Sequence, residues 1–322
     1  MGASPALLTE PSQLHLVHFD PHGMSGTLQG SQLEHVQLEP GNFQGVVAQM
    51  ALESLGADWG GYSLSVLAQG LLSPDRVSLG MVIRGAGEWR VRGQPACNGD
   101  LVLLPEGGEL TISLPSQSQW VALQIPRQRL DALGLPLAGL HTHGGWHCGG
   151  TTAALKEAVA ELATLVMGPT VPQRPGVPYD QWHEQLLGAL TSAWMVGAGR
   201  EQHSETLSSR ERWRVVQRAE SYIASCSDPT VRLDEVCLAA GTSLSRLERA
   251  FREVYGHGPR RTLTLRRMAA VRRELLQGQP GTSVTEVATR WGFSHLGRFA
   301  QDYASLYQER PSATLQRSRL RH

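Results

Sequence analysis

Two short stretches near the end of the chain carry side chains suited to the edges of DNA bases. The first holds Ser245, Arg246, Glu248, Arg249 and Arg252; the second holds His295, Gly297, Arg298 and Gln301. A guanidinium donates two parallel hydrogen bonds to O6 and N7 of guanine, a carboxylate accepts from the amino group of cytosine, and hydroxyl groups serve several bases. Glu248 therefore suits one base, and Gly297 can read none. A third stretch, His141-Thr-His143-Gly-Gly-Trp-His147-Cys148, gathers three imidazoles and a thiol, the ligand types of a transition-metal site. The same run also reads as a glycine-rich connection with incidental histidines, and no metal or other cofactor is assigned.

Such side chains read bases only when a helix presents them. Around both stretches the pattern is a short apolar helix, a glycine break and a second, amphipathic helix, over about residues 232–254 and 283–306. In the first unit Leu233 to Ala239 forms the scaffold helix, Gly241 supplies a turn that favours glycine, and Ser243 is an N-cap. Leu244, Leu247, Phe251 and Val254 then recur at helical spacing and are expected to face inward. In the second unit Val284, Val287 and Ala288 are core, Gly292-Phe293 is the turn and Ser294 the N-cap, with Leu296, Phe299, Tyr303 and Leu306 inward. Trp213 to Ala224 supports the first unit. Between the units Pro259 opens a helix to about Leu276 that carries Arg260, Arg261, Arg266, Arg267, Arg272 and Arg273. At 1.5 Å per residue it spans about 27 Å, which suits two readers set about one DNA turn apart. The expected partner is double-stranded DNA, met in two adjacent major grooves.

Charge agrees with that reading. The formal net charge is zero, yet residues 1–204 hold 9 basic and 17 acidic side chains while residues 205–322 hold 20 and 12. A basic C-terminal part on a neutral chain is the footprint of nucleic-acid contact. No uninterrupted apolar run reaches about 18 residues, and the N-terminus lacks the basic and apolar regions of a signal peptide, so a cytoplasmic protein with no membrane span is expected. Cys97, Cys148, Cys226 and Cys237 contain no CxxC pair and are expected to be reduced thiols.

Upstream the pattern changes. The first 20 residues look loosely ordered. From 32 to 125, short β-rich segments are expected at 45–50, 62–67, 77–83, 88–92, 100–104, 110–114 and 120–125, with turn signals at Pro40-Gly41, Gly60-Gly61, Asn98-Gly99 and Gly107-Gly108. Helical periodicity follows at 152–167 and 181–196. The chain thus divides into a β-rich domain over 1–200, a linker over 201–209 and an all-α domain over 210–322, an α+β organisation.

The spacing Phe251-x3-Tyr255-Gly256-x2-Pro259, the run Leu265 to Leu276, the segment Val287-Ala-x-Arg-Trp-Gly-Phe293 and Pro311 resemble the signature of the AraC/XylS transcription regulators, across about residues 211–315. The run Trp291 to Phe299 further resembles the branch containing ethanolamine-operon regulators. By that resemblance Ser245, Glu248 and Arg249 are readers in the first unit, and His295, Gly297, Arg298 and Gln301 in the second. The resemblance also implies a cupin-like β-barrel or sandwich with a helical pair at the N-terminus, which binds a small effector, holds a homodimer, or both. It implies activation of transcription, with RNA polymerase as a further partner. Trp89, Arg84, Arg90 and Glu106 are candidate pocket residues of that barrel. A regulator without ligand, set by its abundance or by a protein partner, is the alternative. No catalytic residue is assigned. An alkyl-transfer DNA-repair enzyme needs a cysteine-rich zinc site, and a metal-dependent cupin oxygenase needs histidines on the barrel strands, of which 45–125 has none.

Overall fold

The computed structural model describes residues 15–19, 28–52, 55–132, 146–148, 207–226 and 231–320. The expected helices at 152–167 and 181–196, together with His141 and His143, lie outside these residues. The N-terminal part is built from twelve described strands: β1 (His15–Phe19), β2 (Gln32–Gln37), β3 (Gly45–Leu52), β4 (Leu55–Tyr62), β5 (Val66–Leu71), β6 (Arg76–Arg84), β7 (Trp89–Val91), β8 (Gln94–Ala96), β9 (Leu101–Leu104), β10 (Glu109–Leu114), β11 (Ser118–Pro126) and β12 (Trp146–Cys148). They form a seven-stranded sheet ordered β1-β3-β4-β11-β6-β9-β12 and a five-stranded sheet ordered β2-β5-β10-β7-β8. Side chains alternate between the two faces of each strand, so Leu110, Ile112 and Leu114 of one sheet meet Val82, Trp120 and Ala122 of the other in a shared core. The short helix α1 (Arg127–Ala132) follows β11 and buries Leu130.

Three sequence expectations change. The first 20 residues are not all irregular, because β1 pairs antiparallel with β3. Gly60-Gly61 is not a turn. Both residues lie within β4, and Gly60 sits against the Trp120 ring, where a Cβ would come within 2.2 Å of ring carbon. Glycine was needed there for close approach, not for bending. The turn comes later, at Ser63–Ser65, and splits the expected strand 62–67 between β4 and β5.

A cavity of about 70 Å³ lies between the sheets, lined by apolar residues including Leu28, Leu33, Trp89 and Leu110. Of the four candidate pocket residues only Trp89 reaches it. Arg84 is exposed, Arg90 points outward to the Glu253 carbonyl, and Glu106 pairs with Arg127. Charged side chains on these strands face outward because the interior offers them no partner.

Two titratable groups are nevertheless buried inside. Asp58 accepts hydrogen bonds from the Gln29 backbone N–H at 3.0 Å and from its side-chain amide at 2.9 Å. Burial pushes its carboxyl up to about 7, while the Gln29 bonds and Arg76 pull it back. His35 lies 3.2 Å from the Tyr62 hydroxyl, and burial lowers its imidazole to about 4.

The C-terminal part is helical: α2 (Leu207–Ser225), α3 (Leu233–Ala240), α4 (Leu244–Tyr255), α5 (Pro259–Gln277), α6 (Val284–Arg290), α7 (Leu296–Tyr307) and α8 (Pro311–Arg319). The last residues of the expected linker already belong to α2. One hydrophobic core runs through both helical units by way of Met268, Ala269, Val271 and Leu275 of α5, and it extends to Val36 and Leu67 of the barrel. No helix among the described residues is long and apolar enough to cross a membrane.

The buried acid and base of the barrel have opposite pH signatures. Asp58 holds its proton more tightly when folded, so its contribution to stability is full below about pH 4 and is lost as pH rises to about 7. His35 holds its proton less tightly, so its contribution is full above about 6.5 and is lost as pH falls to about 4. The two slopes oppose between these limits. Asp58→Asn removes one of them, so its melting temperature should climb with pH from 4 to 6.5 more steeply than that of the parent. Thermal melts at stepped pH check this, and equal slopes would count against a raised Asp58 carboxyl.

Candidate nucleic-acid interface

The first helical unit forms as its residues dictate. Asp234 and Glu235 occupy the first turn of α3, where carboxylates meet the positive end of the helix dipole. Gly241 then closes the helix at φ 63°, a left-handed conformation that costs glycine little. Ser243 caps α4 by accepting from the Arg246 backbone N–H. Leu247, Ala250, Phe251, Val254 and Tyr255 lie on one face of α4 and are buried. The opposite face presents Ser245, Arg246, Arg249 and Arg252 to solvent. Glu248 is half-buried and ion-paired to Arg252 at 3.3 Å, one helical turn on.

The second unit repeats the plan with one difference. Ser283 caps α6 through the Glu286 N–H, and Gly292 turns the chain at φ 80°. The N-cap of α7 is His295 rather than Ser294, and its side chain makes no capping bond. The serine lies one residue too early, so the imidazole stands at the mouth of the helix. Phe299, Tyr303, Leu306 and Tyr307 are buried, while His295, Gly297, Arg298 and Gln301 are exposed. A Cβ on Gly297 would meet nothing within 4 Å. Arg298 is 82% exposed and lies 3.7 Å from Asp302.

Counted from the helix start, the two faces correspond. Arg246 and Arg298 are each the third residue of their helix, Ser245 and Gly297 the second, and Arg249 and Gln301 the sixth. Leu244 and Leu296 share the first position. Both were expected inside, yet they are 45% and 37% exposed. Helical spacing alone placed them with the core. At the first position there is no preceding turn of helix to cover them. Apolar groups at that place suit the methyl of thymine.

The arginines of α5 are used differently from what their number suggested. Arg272 is bonded to Glu309 at 2.6 Å and to the Tyr303 hydroxyl at 3.3 Å, and it stacks on the Tyr307 ring. Arg266 pairs with Glu220 of α2 and donates to Gln69 of β5. Arg273 reaches Glu34 of β2 at 2.9 Å, and Arg261 donates to the Leu38 carbonyl. The connecting helix therefore spends much of its charge on internal contacts. His147 and Cys148 fall on β12, apart from both helical units in sequence.

A family described as a helix-turn-helix domain matches residues 236–317. Over 102 residues the chain is 34% identical to the probable thc operon regulatory protein of Rhodococcus erythropolis, covering 31% of each chain. Over 138 residues it is 37% identical to XylDLEGF operon transcriptional activator 3 of Pseudomonas putida, covering 42% of this chain and 39% of that one. The chain thus spans under half the length of these two relatives. It is also 32% identical to a solved structure of a probable AraC family transcriptional regulator from Rhodopseudomonas palustris CGA009, covering 32% of this chain and 96% of that one at a TM-score of 0.30.

The buried Arg272 gives a direct test of how the second unit is held. Arg272→Met removes one partner of a buried pair and should cost about 3 kcal/mol, read from denaturant unfolding. Adding Glu309→Gln should recover part of that loss, whereas no recovery would mean that the packing of Arg272, and not its charge, carries the effect.

Proposed function

We propose that the chain is a sequence-specific DNA-binding transcription regulator of the AraC family, a reading supported by the match of residues 236–317 to a helix-turn-helix domain. The observation that carries the reading is the correspondence between α4 and α7. Each buries one apolar face in a common core and presents a basic, polar face from the same helical positions. Ser245, Arg246, Glu248, Arg249 and Arg252 form the first reading surface, and His295, Gly297, Arg298 and Gln301 the second. Leu244 and Leu296 join them as apolar contacts. The pairing of Glu248 with Arg252 leaves Arg246 and Arg249 as the stronger readers in the first unit.

The β-rich part senses a small molecule, holds a homodimer, or both. The name of the Pseudomonas putida relative supports activation of transcription, which would bring RNA polymerase as a partner, in the cytoplasm. The run Trp291 to Phe299 supports kinship with ethanolamine-operon regulators, on those residues alone. As a regulator the chain needs no catalytic residue and no cofactor.

Selection of bound sequences from random DNA at fixed salt tests the reading, because non-specific affinity depends steeply on salt. Enrichment of two half-sites about 10 base pairs apart is expected, and no enrichment by either the full chain or residues 205–322 would refute it. Arg249→Ala and Arg298→Ala should each relax preference at one position of the selected motif, by about 1–3 kcal/mol. A uniform loss over all sequences would instead assign that arginine to phosphate.

A further inference from the structure

The cavity of about 70 Å³ is too small for a ring as it stands. A cavity that takes up benzene measures about 150 Å³. Ring-sized ligands therefore fit only if part of the wall gives way. Most of that wall is strand, locked by ladders such as β11 with β4 and β6 and β10 with β5. Leu28 is different. It is buried in the cavity wall but belongs to the turn Leu28–Ser31, before β2 pairs with β5 from Gln32 onward. The turn is tied to Asp58 of the opposite sheet through two hydrogen bonds from Gln29. Asp58 sits across the sheet from Ala122, itself part of the cavity wall.

The strand that follows this turn has two audiences. On β2, Leu33 and His35 line the cavity, while Glu34 binds Arg273 and Val36 joins the core of the helical part. At its end the Gln37 amide donates to the Leu306 carbonyl at 2.9 Å. On β5, Ala68 lines the cavity while Leu67 joins the helical core and Gln69 accepts from Arg266. β2 and β5 thus join the cavity wall to α5 and to the end of α7.

We propose that the barrel takes a neutral, ring-sized apolar molecule bearing one hydrogen-bond donor, of the phenol class. It enters by displacing the turn Leu28–Ser31, and its hydroxyl replaces Gln29 on Asp58. This rests on the reading of the barrel as a sensor. The lining is mainly apolar, with His35, Tyr62 and Ser78 among it but no Lys or Arg to match an anion, and a displaced Gln29 leaves a buried carboxyl that needs a donor. Displacement of the turn loosens β2, and with it the contacts of Glu34 and Gln37 to the helical domain.

The test uses the full chain with phenol, toluene and benzoate as probes, binding read by calorimetry and turn opening by amide hydrogen exchange. Phenol should bind more tightly than toluene, and benzoate should not bind. Phenol should raise exchange at Gln29, Ser31 and the first residues of β2 by about tenfold or more. Leu28→Ala enlarges the cavity and loosens the packing of the turn, so its exchange at the turn should be raised before any phenol is added and it should bind phenol about tenfold more tightly than the parent. Phenol binding without a rise in exchange in the parent chain overturns the displaced turn and leaves the sensor reading standing. Binding of toluene or benzoate in preference to phenol overturns the ligand class alone. No binding of any probe by either the parent or Leu28→Ala overturns the proposal and leaves the sensor reading to ligands of another class.

Discussion

Arg266 is a largely buried cation between two parts of the chain, and such a cation must be matched where it lies. Its partners come from both sides: Glu220 from α2 of the helical domain and Gln69 from β5 of the barrel, with the Tyr255 ring beneath it. Much else in the arrangement follows from satisfying that one group. It fixes α5 against the five-stranded sheet, brings Arg273 to Glu34 and Arg261 to the Leu38 carbonyl, and extends the helical core to Val36 and Leu67. The barrel and the DNA-reading units are thereby held by a charged seam with an apolar centre rather than joined only by a tether.

The seam also explains how a helix so rich in arginine contributes less to the outer surface than its composition suggests. The exposed arginines include Arg246, Arg249 and Arg252 on α4 and Arg298 on α7, which stand away from the core. The exposed N-terminal residues of α4 and α7, proposed to meet DNA, are distinct from the residues that contact the barrel. Leu306 and Val254, which meet the barrel at Gln37 and Gly93, come from the C-terminal ends of the same helices whose N-terminal ends carry the exposed polar residues.

Much of the helical domain was legible in the sequence because its signals are local. The glycine at 241, the serine at 243 and the 3.6-residue spacing of Leu247, Phe251 and Val254 each act within one or two turns of helix. The misreadings arose where burial depends on distant chain. Leu244 and Leu296 match the apolar period but are left partly exposed at the starts of their helices. Gly60-Gly61 has the composition of a turn but exists to admit the Trp120 ring from a neighbouring strand. The internal roles of Arg266, Arg272 and Arg273 on α5 were not legible, because the carboxylates that pair with them, Glu220, Glu309 and Glu34, are remote in sequence. The buried Asp58 and its tie to Gln29 left no sequence signal at all, since a lone aspartate in a strand resembles any surface carboxylate.

The alternation along β2 and β5 has an evolutionary consequence. One wall serves two functions, yet neighbouring residues on it answer to different neighbours. A substitution at Leu33 or Ala68 can retune what fits the interior without touching the residues that grip the helices, and a substitution at Glu34 or Gln69 can do the reverse. Chemical preference and output can therefore drift independently by point change. An insertion or deletion cannot be absorbed in this way, because a one-residue slip exchanges the two faces and spoils both at once. Relatives built on this plan should vary freely at single positions of these strands and keep their lengths fixed.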